Sequence, residues 1–172
     1  MGRHYGASRL LLCAAGAVDH DALVALAERH FGDLRPGEGN SFETASFQGG
    51  ERRDERELEQ VHFALALPAL PYDDVDFYPM QVMSTVLGGG MSSRLFQEVR
   101  ERRGLCYSIF CFASSYKDCG AFSVYAGTGA EKVGELVPVI CDEMLRLSGD
   151  AAEDEVARAR NQLKAGTLMS LE

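Results

Sequence analysis

Apolar and polar positions along the chain form short periodic blocks, separated by glycine, proline and charge. Leu10 to Ala15 is a continuous apolar run and reads as a buried strand. Gly16 follows, then Asp19, whose short carboxylate suits a helix N-cap. Leu23, Leu26 and Ala27 recur at helical spacing as far as Phe31, and Gly32 supplies the stop. The periodicity then disappears. Pro36, Gly37, Gly39, Asn40, Gly49 and Gly50 mark a loop, and a charged run follows from Glu51 to Arg56.

Periodicity returns at residue 57. Val61, Phe63, Leu65 and Leu67 alternate along a strand over 57–67, which Pro68 and Pro71 should end. Asp74 can cap a helix carrying Phe77, Met80, Met83 and Leu87. Gly88-Gly89-Gly90 then opens a short Arg/Glu-rich helix that stops at Gly104, and a strand carrying Tyr107 starts at once. Strands over 105–115 and 120–127 are joined by Tyr116-Lys117-Asp118-Cys119 as a hairpin. Thr128 and Glu131 have capping-box spacing. The helix they open carries Val133, Leu136, Val137, Ile140 and Met144, with Pro138 expected to kink or restart it. Asp150 and Glu153 offer a cap for a last helix with Val156, Ala159 and Leu163. The order β-α-α-β-β-α-α predicts an α+β fold, a mostly antiparallel sheet with helices packed on one face.

Composition narrows the function classes. The 172 residues carry a net charge of −9, which argues against nucleic acid or an anionic membrane as a general partner. No apolar run reaches the length of a membrane span, and the first residues do not form a signal peptide. Five cysteines without short paired spacing point away from a disulfide framework and towards a reducing, cytoplasmic compartment, with the periplasm left open. They read as small buried hydrophobes. Cys106 and Cys111, five apart on one strand, should face opposite sides.

Several chemistries find no support. Met91-Ser92-Ser93 follows the triple glycine where a phosphate loop needs Gly-Lys-Ser/Thr, so a flexible connection using positive φ is the simpler reading. The histidines, His4, His20, His30 and His62, show no His-x-x-x-His spacing; His62 alternates away from the apolar face of its strand. Each reads as a surface or helix-end histidine, and no metal site is expected. Arg94, Glu98, Glu101 and Arg102 can form i,i+3 and i,i+4 pairs on a solvated face. Arg100 and Tyr107 differ by position: a guanidinium and a phenol flank the Gly104 corner, and both can donate hydrogen bonds to a carbonyl oxygen.

The segment from Val86 to Ile109, with its Gly-Gly-Gly-Met-Ser-Ser-Arg-Leu-Phe-Gln-Glu-Val-Arg-Glu-Arg-Arg-Gly-Leu-Cys-Tyr core, closely resembles the second half of the pitrilysin (insulinase)-type zinc metallopeptidases, in particular bacterial relatives of the mitochondrial processing peptidase. Ala14 to Asp21 is similar to the close of that family's first half, and Asn161 to Gly166 also fits. The resemblance implies two similar α+β halves closing around a chamber. The first half carries zinc on a His-x-x-Glu-His motif, whose glutamate is general base. The second carries no metal, and its Arg and Tyr hold substrate backbone and oxyanion; here these match Arg100 and Tyr107.

His-x-x-Glu-His does not occur in this sequence. On this reading residues 1–34 are the tail of the catalytic half, 35–56 an interdomain linker, and 57–172 the substrate-binding half, which should continue beyond residue 172. Such a chain should hold no zinc and hydrolyse nothing alone; zinc belongs to the full-length parent. Its partners would be a peptide or unfolded polypeptide and the missing catalytic half. Bare edges and apolar surface, including the edge of the strand at 10–15, should make it self-associate. Two alternatives remain: a non-catalytic scaffold or partner subunit on the same fold, and an unrelated α+β binding module.

Overall fold

The structure, a computed structural model, describes residues 5–37 and 43–171. His4, Gly39, Asn40 and Glu172 lie outside the described residues. The chain divides into two compact units, Met1–Thr44 and Ala45–Glu172.

In the first unit, helix α1 spans His20–Phe31. Asp19 caps it, accepting from the Ala22 amide at 2.8 Å, and Gly32 closes it as its C-cap. The strand expected over Leu10–Ala15 does not form. The segment is irregular beyond a short 3-10 turn at Ala7–Arg9, and Leu11 is 88% exposed. A strand is defined by its partner, and no described residue of this unit supplies one.

The second unit is a three-stranded antiparallel sheet of β1 (Val61–Ala69), β2 (Ser108–Ser115) and β3 (Gly120–Thr128), with β3 in the centre. Helices α2 (Phe77–Gly88), α3 (Val133–Asp150) and α4 (Glu153–Met169) and a π-helical segment (Phe96–Arg102) complete it. The predicted α+β order holds from residue 57 onward. Strand alternation sends Ile109, Cys111, Phe122, Val124 and Ala126 to one face. There they join Leu87, Leu95, Val99, Leu136 and Ile140 in a single buried core.

Local rules failed where tertiary contacts outbid them. β1 runs through Pro68 to Ala69, since an edge strand tolerates a residue without a donor. α2 begins at Phe77; the Asp74 carboxylate instead accepts from the Asp76 amide in the preceding turn. α3 passes through Pro138 without a break. Thr128 does not cap it: its hydroxyl donates to the carbonyl of Leu105, tying β3 to the chain before β2. α4 begins after Ala152, whose amide donates to Glu155 at 2.9 Å. Cys106 precedes β2 and is buried together with Cys111, whereas Cys13 and Cys141 are exposed and Cys119 is half-buried.

The triple glycine is a packing device. None of its residues has positive φ. A Cβ on Gly88 would strike Cys111, meeting its Cβ at 2.8 Å, and one on Gly89 would strike Thr85. The end of α2 thus lies directly on β2, and Gln162 of α4 donates to the Gly89 carbonyl at 2.7 Å.

Arg94, whose side chain is only 14% exposed, does not pair with Glu98. It reaches the carboxylates of Asp150 and Glu155 and the Asp150 carbonyl, clamping the start of the π-helical segment to the α3–α4 junction. Both carboxyls are held below their ordinary values, chiefly by hydrogen bonds from Arg94. A depressed folded-state value means that the clamp stabilises fully above the unfolded value, 4.5 for Glu155. Its contribution drains away as pH falls through the lower folded value. Glu155→Ala should therefore lower stability by about 1–3 kcal/mol at neutral pH, with the gap to wild type narrowing below about pH 4. Urea denaturation followed across pH checks both; a gap independent of pH would rule out the ion pair as its source. Gly104 has φ +60°, and a Cβ there would meet nothing within 4 Å. Gly104→Ala should thus cost only the left-handed backbone penalty, about 1–2 kcal/mol, read as a lower urea midpoint with unchanged m-value.

Candidate functional site at the Gly104 corner

Leu95 and Val99 are fully buried and anchor the Phe96–Arg102 segment to the core. The segment is wound as a π-helix, a form that recurs at functional sites. Widening moves its side-chain partners. Glu98 holds Arg102 at i+4 (2.8 Å) and Arg103 at i+5 (3.0 Å), and these two bonds pull its carboxyl below the ordinary value. The helix end is wide as well: Gly104 N–H donates to the Arg100 carbonyl at 3.1 Å and Leu105 N–H to the Val99 carbonyl at 2.9 Å. Left-handed Gly104 makes that closure possible.

The corner is then tied down on its far side. Lys132 Nζ donates to the Gly104 carbonyl at 2.9 Å, Thr128 to that of Leu105, and Tyr107 N–H to the Gly127 carbonyl at 2.8 Å. Leu105 and Cys106 are buried beneath it. Burial pushes the Cys106 thiol up, with the positive charges of Arg100 and Lys132 opposing. Cys111, deeper in the core, is pushed up to about 12 by burial alone, so it is no nucleophile.

Arg100 is exposed, with its guanidinium carbon 4.7 Å from the centre of the Phe96 ring. Arg94, Arg102 and Arg103 are bound to carboxylates; among the described residues no such ion pair occupies Arg100. Tyr107 is 62% exposed and sits one residue before β2 rather than within it. A guanidinium stacked on an aromatic ring keeps its outward N–H groups available for an oxygen acceptor. Among the described residues no group of three or more His, Cys, Asp or Glu is placed to hold a metal ion. The described residues therefore do not assemble a zinc centre.

One pairing was invisible in the sequence. His62, read as an ordinary surface histidine, shares a 2.6 Å hydrogen bond between Nδ1 and Tyr125 Oη, sixty-three residues away. Only strand register brings these two together.

Comparison with known proteins gives the corner a context. Residues 1–163 match the family model described as the peptidase M16 inactive domain. A Rickettsia felis protein named as a zinc protease is 39% identical over 171 residues, and Bacillus subtilis YmxG, also so named, is 33% identical over 174. These alignments take in 99% and 100% of this chain, which spans 42% of the length of each relative. The peptidase M16 inactive domain from Pseudomonas fluorescens superposes with a TM-score of 0.67 at 23% identity, over 88% of this chain and 38% of that one. A chain of Complex III2 from Candida albicans does so at 0.72 and 26%, over 90% and 39%. With the α+β order, the glycine-led corner and the family match all in one register, the chain belongs to the pitrilysin-like peptidase M16 family and corresponds to its inactive, non-zinc domain.

Proposed function

We propose that this chain is the substrate-binding half of a zinc-dependent endopeptidase or oligopeptidase, in which Arg100 and Tyr107 bind the peptide backbone and the oxyanion formed at the scissile carbonyl. The observation that carries the reading is Arg100, stacked on Phe96 and with no carboxylate partner among the described residues, beside three arginines that are tied to carboxylates. The backbone of the corner that bears it is held by Gly104, Lys132 and Thr128, which supports the reading because oxyanion stabilisation requires donors carried on a fixed frame. Zinc and its general base belong to the other half of the longer protein, and the 172-residue chain alone hydrolyses nothing. Its partners are that catalytic half and an extended polypeptide, in a reducing, cytoplasmic compartment.

In the longer polypeptide carrying this chain with its zinc-bearing half, Arg100→Ala and Tyr107→Phe should each lower kcat for peptide cleavage by about 100- to 1000-fold. Zinc content should not change. Full activity in both variants would remove the assignment.

A second reading, a non-catalytic subunit on the same fold, is favoured by the similarity to a chain of Complex III2. It requires the companion half to lack His-x-x-Glu-His.

We also propose that the isolated chain self-associates. The expected edge at residues 10–15 is not a strand, so the surface for it lies elsewhere. An apolar recess of about 720 Å³ opens between α2 and α4, lined by Tyr78, Val82, Met83, Val156 and Leu163. Sedimentation should show a mass that rises with concentration and returns to monomer in Val82→Glu; a monomer throughout the micromolar range would refute it.

A further inference from the structure

The sheet face away from the core has an unusual composition for exposed surface. Register sets its residues in rows: His62, Gly127 and Ser108; then Ala64, Tyr125 and Phe110; then Ala66, Ser123 and Phe112. None of these nine is Asp, Glu, Lys or Arg, although a quarter of the chain is charged. A sheet face meant only for water alternates to polar and charged residues. Here Phe110 and Phe112 stand 44% and 45% exposed.

The aromatic side chains form a ridge. Tyr125 and Phe110 stack at 4.9 Å between centroids, and Phe112 adjoins Phe110 at 6.0 Å. Beside the ridge, Ala64, Ala66 and Ser123 leave a trough. A recess of about 860 Å³ opens along its outer side, walled by Ala64 and Ala66 of β1 and, in the preceding segment, by Leu58 and the charged Arg52, Asp54, Glu55 and Arg56, so the uncharged surface is confined to the strands themselves. At one end of the trough, polar groups gather over Gly127. A Cβ there would meet Gln60 Oε1 and Ser108 Oγ at 3.0 Å and Tyr125 Oη at 3.6 Å, and that hydroxyl is bonded to His62. The Gly127 carbonyl is the acceptor for the amide of Tyr107, so this end of the trough adjoins the corner. Three rows at two residues per step span about 13 Å, the length of about four extended residues.

We propose that this face is a specificity surface for an extended peptide. The trough takes the main chain, and the Tyr125–Phe110–Phe112 ridge takes a bulky aromatic side chain in preference to an acidic one. The polar groups over Gly127 meet backbone N–H and C=O groups at the end nearest Tyr107. Large uncharged aromatic surface favours aromatic partners by area and by stacking geometry, and a carboxylate set against the ridge would lose water while Tyr125, Phe110 and Phe112 offer it no cation; Arg52 and Arg56 stand across the recess on the far side of β1. The inference rests on the corner being a peptide site, since the corner sets where the trough begins.

The test uses the 172-residue chain and two fluorescein-labelled probes, a short Ala/Ser peptide with one central Phe and the same peptide with Asp in its place, read by fluorescence anisotropy. The Phe peptide should bind at least about tenfold more tightly. Phe110→Ala should bring the ratio near one, and Ser123→Arg, which fills the trough without touching the core, should weaken the Phe peptide. Arg100→Ala should weaken both peptides equally and leave the ratio intact. A ratio near one in the unaltered chain, or capture of neither peptide, overturns the proposal. Loss of binding in Arg100→Ala without any Phe preference would leave the corner reading standing and this one fallen. A Phe preference that depends on Phe110 but ignores both Arg100→Ala and Tyr107→Phe would remove the corner reading and, with it, the placement of the trough's end at Tyr107, leaving only the aromatic preference of the ridge.

Discussion

The left-handed turn at Gly104 is the constraint on which the second unit depends. A helix that ends in the right-handed region carries the chain onward along its axis; one closed by a residue at φ +60° turns it back. That reversal delivers Leu105 and Cys106 into the core and starts β2 beside β3. The hydrogen bonds from Lys132 and Thr128 hold the carbonyls of Gly104 and Leu105 at the turn. Helix α3 is thereby fastened, through Lys132 just before its first residue, to the corner that carries Arg100 and Tyr107.

Two other contacts make the corner rigid rather than merely bent. Gly88 lets α2 lie against Cys111, so the glycine-rich connection begins on the sheet itself. Arg94 then ties the start of the π-helical segment to Asp150 and Glu155. Leu95 and Val99 bury the inner side of that segment, while Glu98 draws Arg102 and Arg103 away from Arg100. The charges that the segment needs for structure are therefore consumed in structural pairs, and the cation that remains is the one next to the turn.

The hydrophobic pattern made the elements of the second unit legible, because alternation and helical spacing are direct consequences of burying one face. It also placed the stop at Gly104 and the hairpin before Gly120. The segment at Leu10–Ala15 misled for the same reason: an apolar run announces a wish to be buried, and no described neighbour answers it. Caps were misassigned at Thr128 and Asp150, because each of these side chains found a stronger distant partner in Leu105 or Arg94.

For the site, sequence alone determined which chemical groups stand near the corner, since Arg100, Gly104 and Tyr107 are neighbours along one short stretch of chain. What it could not determine was which charges would be spent on one another, or that the uncharged residues of three strands would meet as one surface. Those outcomes depend on register and on contacts such as Arg94 with Glu155 and His62 with Tyr125, sixty-one and sixty-three residues apart. Local pattern encodes what each residue seeks; only the closed fold decides what it finds, because hydrogen bonds and ion pairs form at ångström distances that packing alone can set.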